Sequence, residues 1–212
     1  MPLKVAIVPV TPFQQNCSII WDDRTMEAAV VDPGGDVPVI LNALKELKVK
    51  ATKIWITHGH LDHVGGAAEL AATLGITEIE GPHEADRMLI ANVEKQAEKF
   101  GVPGLKGVEP TRWLNEGDTV SIGAITFEVF HVPGHAPGHV VFVDRADDFA
   151  LVGDTIFQGS VGRTDLPGCD HDLLISSIKS KLFTLGNEMT VLPGHGPATT
   201  IGRERLSNPF LT

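Results

Sequence analysis

At 212 residues the chain is long enough for one large or two small domains at ~150 residues each, and for a core that needs no staples. Gly and Pro supply 22 and 14 residues, which argues against a long-helix bundle, and 42% hydrophobic against 21% charged residues excludes a disordered chain. A net charge of −10, with no basic block, argues against nucleic acid or an anionic membrane as partner.

In chain order, Leu3 to Pro9 alternates apolar and polar residues, and Cys17 to Trp21 and Ala28 to Val31 are short apolar runs, so a meander of three strands is expected first. The apolar stretch from Val5 to Val10 is too short for a signal peptide or a membrane span, so a soluble cytoplasmic protein is expected. Asp32-Pro33-Gly34-Gly35-Asp36 then turns into a helix from about Val37, with Asp36 as N-cap and Ile40, Leu41, Leu44 and Leu47 on one face. A buried strand, Lys53 to Thr57, leads through a loop over His58 to Gly66 into a helix from Ala67 to Leu74 that Gly75 ends. A strand near Ile76 to Ile79 and one long charged helix from about Glu84 to Phe100 complete a first half. The Gly- and Pro-rich stretch Gly101 to Thr111 marks a seam.

After the seam, Thr119 to Ile122, Ile125 to His131, Val140 to Val143 and Phe149 to Val152 read as strands. Asp172 to Leu185 reads as a helix stopped by Gly186, and Met189 to Leu192 as one more strand. Each half places strands first and helices after. The expected architecture is therefore α/β, an αββα sandwich of two packed mixed β-sheets flanked by helices, in a single domain over residues 1–212 with halves of about 1–105 and 112–212.

The chemistry concentrates in Thr57-His58-Gly59-His60-Leu61-Asp62-His63, which places three imidazoles and a carboxylate at a strand end. In extended chain 58, 60 and 62 share a side, and the start of the next helix brings His63 round to join them. The H-x-H-x-D-H pattern arises by chance on the order of 0.001 times in a chain of this composition, which leaves a merely solvated loop as the poorer explanation. Gly65-Gly66 suits a backbone that crowds such side chains while starting a helix. His135, Asp154 and His195 each follow another apolar strand, where a rigid scaffold aims functional groups, and with the cluster they supply seven N and O donors. Cys17 and Cys169 lie in no C-x-x-C pair and form no disulfide framework, so they read as small buried residues in a reducing compartment.

With T-H-G-H-L-D-H at 57–63, V-P-G-H-A-P-G-H at 132–139, G-D-T-I-F at 153–157 and L-P-G-H-G-P at 192–197, the chain resembles the metallo-β-lactamase superfamily, and within it the glyoxalase II-like hydroxyacylglutathione hydrolases. The resemblance implies two divalent metal ions, zinc first, with iron or manganese as alternatives: one held by His58, His60 and His135, the other by Asp62, His63 and His195, with Asp154 bridging. It implies hydrolysis of a small-molecule glutathione thioester, S-lactoylglutathione, by hydroxide generated at the metals, with Asp62 orienting that hydroxide. Larger glyoxalase II enzymes add a helical C-terminal domain, whereas only about 15 residues follow His195 here, as in the compact bacterial type. The family's Gly-Lys-x-Tyr segment is replaced by Gly162-Arg163-Thr164-Asp165 and the chain has no Tyr, which makes Arg163 the candidate for a substrate carboxylate.

The G-R-T-D segment and the Asn208-Pro209 ending also resemble persulfide dioxygenases of the same superfamily, which implies a single iron on His58, His135 and Asp154 as the alternative. Against it stand His139, where that group often has Cys, and Pro-Gly-His-Gly in place of Pro-Ala-His-Asp. Dimetal oxygen reductases of this fold carry Glu where this chain has His60. Secreted β-lactamases are disfavoured by the want of a signal peptide, and RNA-processing relatives by the charge of −10. His83 and His171 are read as surface residues and His131 as partly buried; His139 begins a strand, with a hydrogen bond to the site as its alternative role, and Asp165 is read as a partner of amides in its own loop.

Overall fold

The computed structural model describes residues 2–212. Three strands open the chain, β1 (Leu3–Val10), β2 (Gln15–Asp22) and β3 (Glu27–Val31), followed by α1 (Val37–Leu47), β4 (Lys50–Trp55), α2 (Leu61–Val64), α3 (Ala67–Leu74) and β5 (Glu78–Glu80). A 3-10 turn at Glu84–Asp86 and the short helices α4 (Arg87–Ile90) and α5 (Val93–Lys99) lead into an irregular stretch that includes the expected seam. The second half holds β6 (Thr119–Ile122), β7 (Ile125–His131), β8 (Val140–Asp144), β9 (Phe149–Gly153), the small hairpin β10 (Ile156–Phe157) and β11 (Ser160–Val161), α6 (His171–Ser180), β12 (Thr190–Pro193), β13 (Thr199–Thr200) and α7 (Ile201–Ser207).

Each large sheet comes from one half. The first has the order β1-β2-β3-β4-β5 and the second β13-β12-β9-β8-β7-β6. Alternation along the strands sorts the core into layers. Ile20, Ala29, Val31 and Trp55 of the first sheet meet Phe127, Val129, Phe142 and Leu151 of the second between the sheets. Their neighbours Ile19, Ala28, Val30 and Ile54 face outward under Ile40, Leu44 and Leu70 of α1 and α3. Val141, Val143, Ala150 and Val152 face outward under Leu174 and Ile178 of α6 and Ile201 of α7. Trp55 packs edge-on against Phe127 at 5.3 Å between ring centroids, and its Nε1–H donates to Glu80 Oε2 at 3.0 Å, so even the largest core side chain satisfies its polar atom.

Strand direction gathers the site. β3 and β4 are parallel, β9 and β12 are parallel, and β7 is antiparallel to β8, which is antiparallel to β9. Within each sheet, then, β3 and β4, and likewise β7, β9 and β12, end at a common edge, and their C-terminal ends lead to residue 32, residues 57–63, residue 135, residue 154 and residue 195.

Several expectations need correction. The helix expected from Glu84 to Phe100 is three pieces, because Asn92 takes the Met88 carbonyl through its side chain at 2.7 Å and breaks the backbone ladder there. The helix expected from Asp172 to Leu185 ends at Ser180 and is followed by a 3-10 turn at Leu182–Thr184. Asp36 stands at the N-cap of α1 without capping it; its φ is 47° and its Oδ2 accepts instead from the Thr11 N–H at 2.6 Å. α7, capped by Thr200, was not anticipated. Among the described residues no helix is long and apolar enough to cross a membrane.

Candidate metal centre

The chain leaves β4 at Trp55, bends at Thr57 and enters α2 at Leu61 from an extended His60. His58 and His60 therefore precede the helix, whereas Asp62 sits on the first turn of α2 with His63. This splits the cluster. His58 and His60 gather with His135, and Asp62 and His63 gather with His195; within each group the donor atoms lie within 4.8 Å of one another. Asp154 stands between the groups: its Oδ1 is 3.5 Å from His63 Nε2, and its Oδ2 is 3.6 Å from both His135 Nε2 and His195 Nε2. All seven residues singled out in the sequence thus meet in one place.

The hydrogen-bond network fixes which ring nitrogens face inward. His63 Nδ1–H donates to Asp32 Oδ2 at 2.9 Å. Thr57 donates to the same carboxylate through Oγ1 at 2.6 Å and through its amide at 2.7 Å, so Thr57 Oγ1 is left to accept from His58 Nδ1–H at 3.0 Å. His135 Nδ1–H donates to the Arg163 carbonyl at 2.8 Å. The Nε2 atoms of His58 and His135 are then bare lone pairs, and His63 Nε2 points the same way. His135 Nε2 lies 3.2 Å from His58 Nε2 and 2.9 Å from His60 Nδ1, and buried His63 Nε2 and Asp154 Oδ1 have no hydrogen-bond partner. Lone pairs packed this closely repel unless a cation lies among them. The donor set fits a pair of divalent ions.

The electrostatics agree. Burial keeps His58, His135 and His139 neutral and pushes His60 down to about 3. Burial would lower His63 too, but the carboxylates of Asp154, Asp62 and Asp32 overcome it and raise that ring well above the ordinary value. Asp154 is buried, yet His63, through charge and hydrogen bonding, holds it far below the carboxylate range. Three carboxylates aimed at one buried imidazole make a cavity that selects positive charge. Gly194 completes it: a Cβ there would lie 2.6 Å from His63 Cε1 and closer still to Asp154 Oδ1. Gly65 and Gly66 serve differently from the expectation, since a Cβ on Gly66 would strike Pro33 O at 2.8 Å and Gly35 N at 3.0 Å; they admit the 33–35 backbone rather than crowd the donors.

A family match to the metallo-β-lactamase superfamily spans residues 10–195. The chain belongs to the metallo-β-lactamase superfamily. A relative from Haemophilus influenzae, hydroxyacylglutathione hydrolase GloC, is 45% identical over 210 residues, covering 99% of this chain and 98% of that one. Among solved structures, the BLEG-1 B3 metallo-β-lactamase is 35% identical with a TM-score of 0.90, covering 99% of this chain and all of that one. The TTHA1623 protein in a di-iron-bound form is 37% identical with a TM-score of 0.88, covering 97% of this chain and all of that one. The two packed sheets and flanking helices are those of the superfamily fold.

Three further residues support the donors: His139, at the end of one motif, and Asp32 and Asp86, which lie outside all of them. Asp32 orients His63 directly and His58 through Thr57, which ties one residue from each donor group to a single carboxylate. His139 Nε2 accepts from the Asp154 amide at 3.0 Å, and its ring stacks on His58 at 4.6 Å. Asp86 is fully buried; its Oδ2 accepts from Gly59 N–H at 2.8 Å and its Oδ1 from Gly138 N–H at 2.5 Å, which joins the loop of His58 and His60 to the loop of His135. Asp32 directly follows an apolar strand, the same signal that selects Asp154. Asp86 had no local signal, since its partners lie 27 and 52 residues away.

Asp86→Asn replaces an acceptor with an amide that meets one of these N–H groups, and an unpaired buried donor costs about 1–3 kcal/mol. The variant is expected to bind metal more weakly at the group containing His135. Burial raises the Asp86 carboxyl to about 6, so the folded protein takes up a proton there that the unfolded chain does not. Stability from this group is present at low pH and lost as pH rises through about 6. Denaturation should therefore show the wild type gaining on Asp86→Asn as pH falls from 7 to 5; a gap that stays constant contradicts the assignment.

Asp165 is paired differently from expectation, whereas Arg163 reaches the cavity. The main partner of Asp165 is not a loop amide but Arg163, whose Nε and Nη2 donate to it at 2.7 and 2.8 Å. Both side chains are exposed, and Arg163 lines the cavity of about 430 Å³ that opens onto His60, Asp62, His135, Asp154 and His195. Of the four remaining histidines, His171 is exposed and His83 and His131 are half-buried and stacked at 4.3 Å. Cys17 is buried and Cys169 half-buried, its Sγ–H donating to the His135 carbonyl at 2.9 Å.

Proposed function

We propose that the chain is a hydroxyacylglutathione hydrolase that cleaves S-lactoylglutathione to lactate and glutathione. The observation that carries the reading is the completeness of both donor groups around Asp154 on the floor of one cavity. His58, His60 and His135 would hold one divalent ion and Asp62, His63 and His195 the other, with Asp154 serving both. Zinc is the first choice, and iron or manganese suits the same donors. Such a pair, when bound, acidifies water from a pKa of 15.7 toward ~7 and polarises the thioester carbonyl.

The chain's own residues do the rest. Burial opposes ionisation of Asp62, but His63 and His195 lower its pKa, so its carboxylate is charged and orients the attacking water. Asp32 and Thr57 hold the rings of His63 and His58 in the tautomers that direct Nε2 inward. A thiol with a pKa near 8.5 leaves without a proton donor, so no general acid is required. Arg163 keeps guanidinium N–H groups beyond those Asp165 takes, and they would meet a substrate carboxylate at the cavity rim.

Two measurements test this. S-lactoylglutathione cleavage should be observed with the metal-loaded protein, while glutathione persulfide should drive no oxygen uptake; the reverse pattern establishes the single-iron dioxygenase alternative. Arg163→Lys should raise KM less than Arg163→Ala, because it keeps the charge and loses the two-pronged geometry. Unchanged kinetics in Arg163→Ala removes Arg163 from substrate binding.

A further inference from the structure

The cavity beside the donor residues is mostly apolar. Besides the donors, its walls are Phe13, Leu61, Phe100, Phe157, Val161 and Leu166, with the polar Gln96 and Ser160. Among the described residues that line it, Arg163 is the one Lys or Arg, and two of its nitrogens already serve Asp165. Glutathione carries two carboxylates and an ammonium, so the walls match at most one of its charges. Their composition matches an apolar group, and a space of about 430 Å³ is far more than a lactoyl group fills.

Phe13 and Phe100 mark where that group lies. They come from distant parts of the first half, Phe13 from the β1–β2 turn and Phe100 from the end of α5, and meet edge to face at 6.3 Å between centroids and 86° between planes. Both stay 37% and 43% exposed, which leaves two aromatic rings in water beside the reacting centre. The turn holding Phe13 is pinned in place. Thr11 N–H donates to Asp36 Oδ2 at 2.6 Å, and Asn16 Nδ2 donates to the Pro193 and Gly196 carbonyls at 3.0 and 2.8 Å, on either side of His195. Thr11 and Gln14 hold φ of 63° and 53°, a conformation that non-glycine residues keep only where surrounding contacts enforce it. The ring is presented rather than collapsed onto the core.

We propose that this wall selects thioesters whose acyl group is apolar and larger than lactoyl, with Phe13 and Phe100 as its contact surface. The proposal rests on the thioester-hydrolase reading for its substrate class, but not for the wall itself. S-methylglutathione and S-hexylglutathione are thioethers that cannot be hydrolysed, so calorimetry on the metal-loaded protein measures the wall without turnover. S-hexylglutathione should bind at least ~10-fold more tightly, a gain that about two buried methylenes supply. Phe13→Ala and Phe100→Ala, both at exposed positions, should each cut the ratio below ~3-fold, with circular dichroism confirming the fold. In parallel, kcat/KM for S-hexanoylglutathione should exceed that for S-lactoylglutathione. The full ratio with no thioester cleaved would uphold the wall and overturn the hydrolase reading. Equal dissociation constants, no binding of either thioether, a ratio that survives both substitutions, or a kcat/KM preference for lactoyl would overturn the wall, whatever the thioester rate.

Discussion

Asp154→Ala is expected to lose bound metal and thioester hydrolysis together, with a rate reduced at least ~1,000-fold, or about 4 kcal/mol. The reason is positional. Its two oxygens lie 3.5 to 3.6 Å from the inward nitrogens of His63, His135 and His195, so one carboxylate faces members of both donor groups. Without it, two cations would share a cavity whose one remaining donor carboxylate, Asp62, lies on the His63 side, with Asp32 behind that ring. The loop itself should survive, because His139 holds the backbone amide of residue 154 rather than its side chain. Asp154→Asn separates charge from shape: it keeps the size and should still lose metal. Elemental analysis beside turnover checks both; an Asp154→Ala protein with two metals and a normal rate contradicts the shared role.

His195→Ala is expected to bind about one metal and to hydrolyse thioester at least ~100-fold more slowly, a loss of about 2.7 kcal/mol. His195 belongs only to the group with Asp62 and His63, and its Nε2 is 3.2 Å from Asp62 Oδ2. Its side chain is 29% exposed on the loop after β12, so removing it should leave the core intact. A single-iron dioxygenase on His58, His135 and Asp154 has no use for it. Bound metal, lactoylglutathione cleavage and persulfide-dependent oxygen uptake in this variant therefore separate the two enzymes. Two metals and an unchanged rate would reduce His195 to ordering its Pro-Gly-His-Gly loop.

The strands were legible because alternation is local: Val140 and Phe142 face one layer of the core, Val141 and Val143 the other. The seven donors were legible for a related reason, since each follows a strand end that an apolar run announces. What local pattern misses is chemistry spread across the chain. α7 buries Glu204, which accepts from Thr199, Gly159 and Asn208, and leaves Leu206 exposed, so the spacing of its apolar and polar residues does not mark the buried face. Asp86, inside the segment expected as a helix over 84–100, faces Gly59 and Gly138 instead of solvent, which nothing in its own segment announces. The apolar wall of the cavity was equally hidden, since Phe13, Phe100, Phe157 and Leu166 meet only once the two halves fold together.

The central claim is that two metal sites act together on a thioester, and titrating metal back into the stripped protein tests it most directly. S-lactoylglutathione cleavage and persulfide-dependent oxygen uptake would be followed in parallel at each step. The account predicts that cleavage keeps rising until two equivalents are bound per chain and that no oxygen is consumed. Activity complete at one equivalent, appearing as oxygen uptake rather than thioester cleavage, would contradict it.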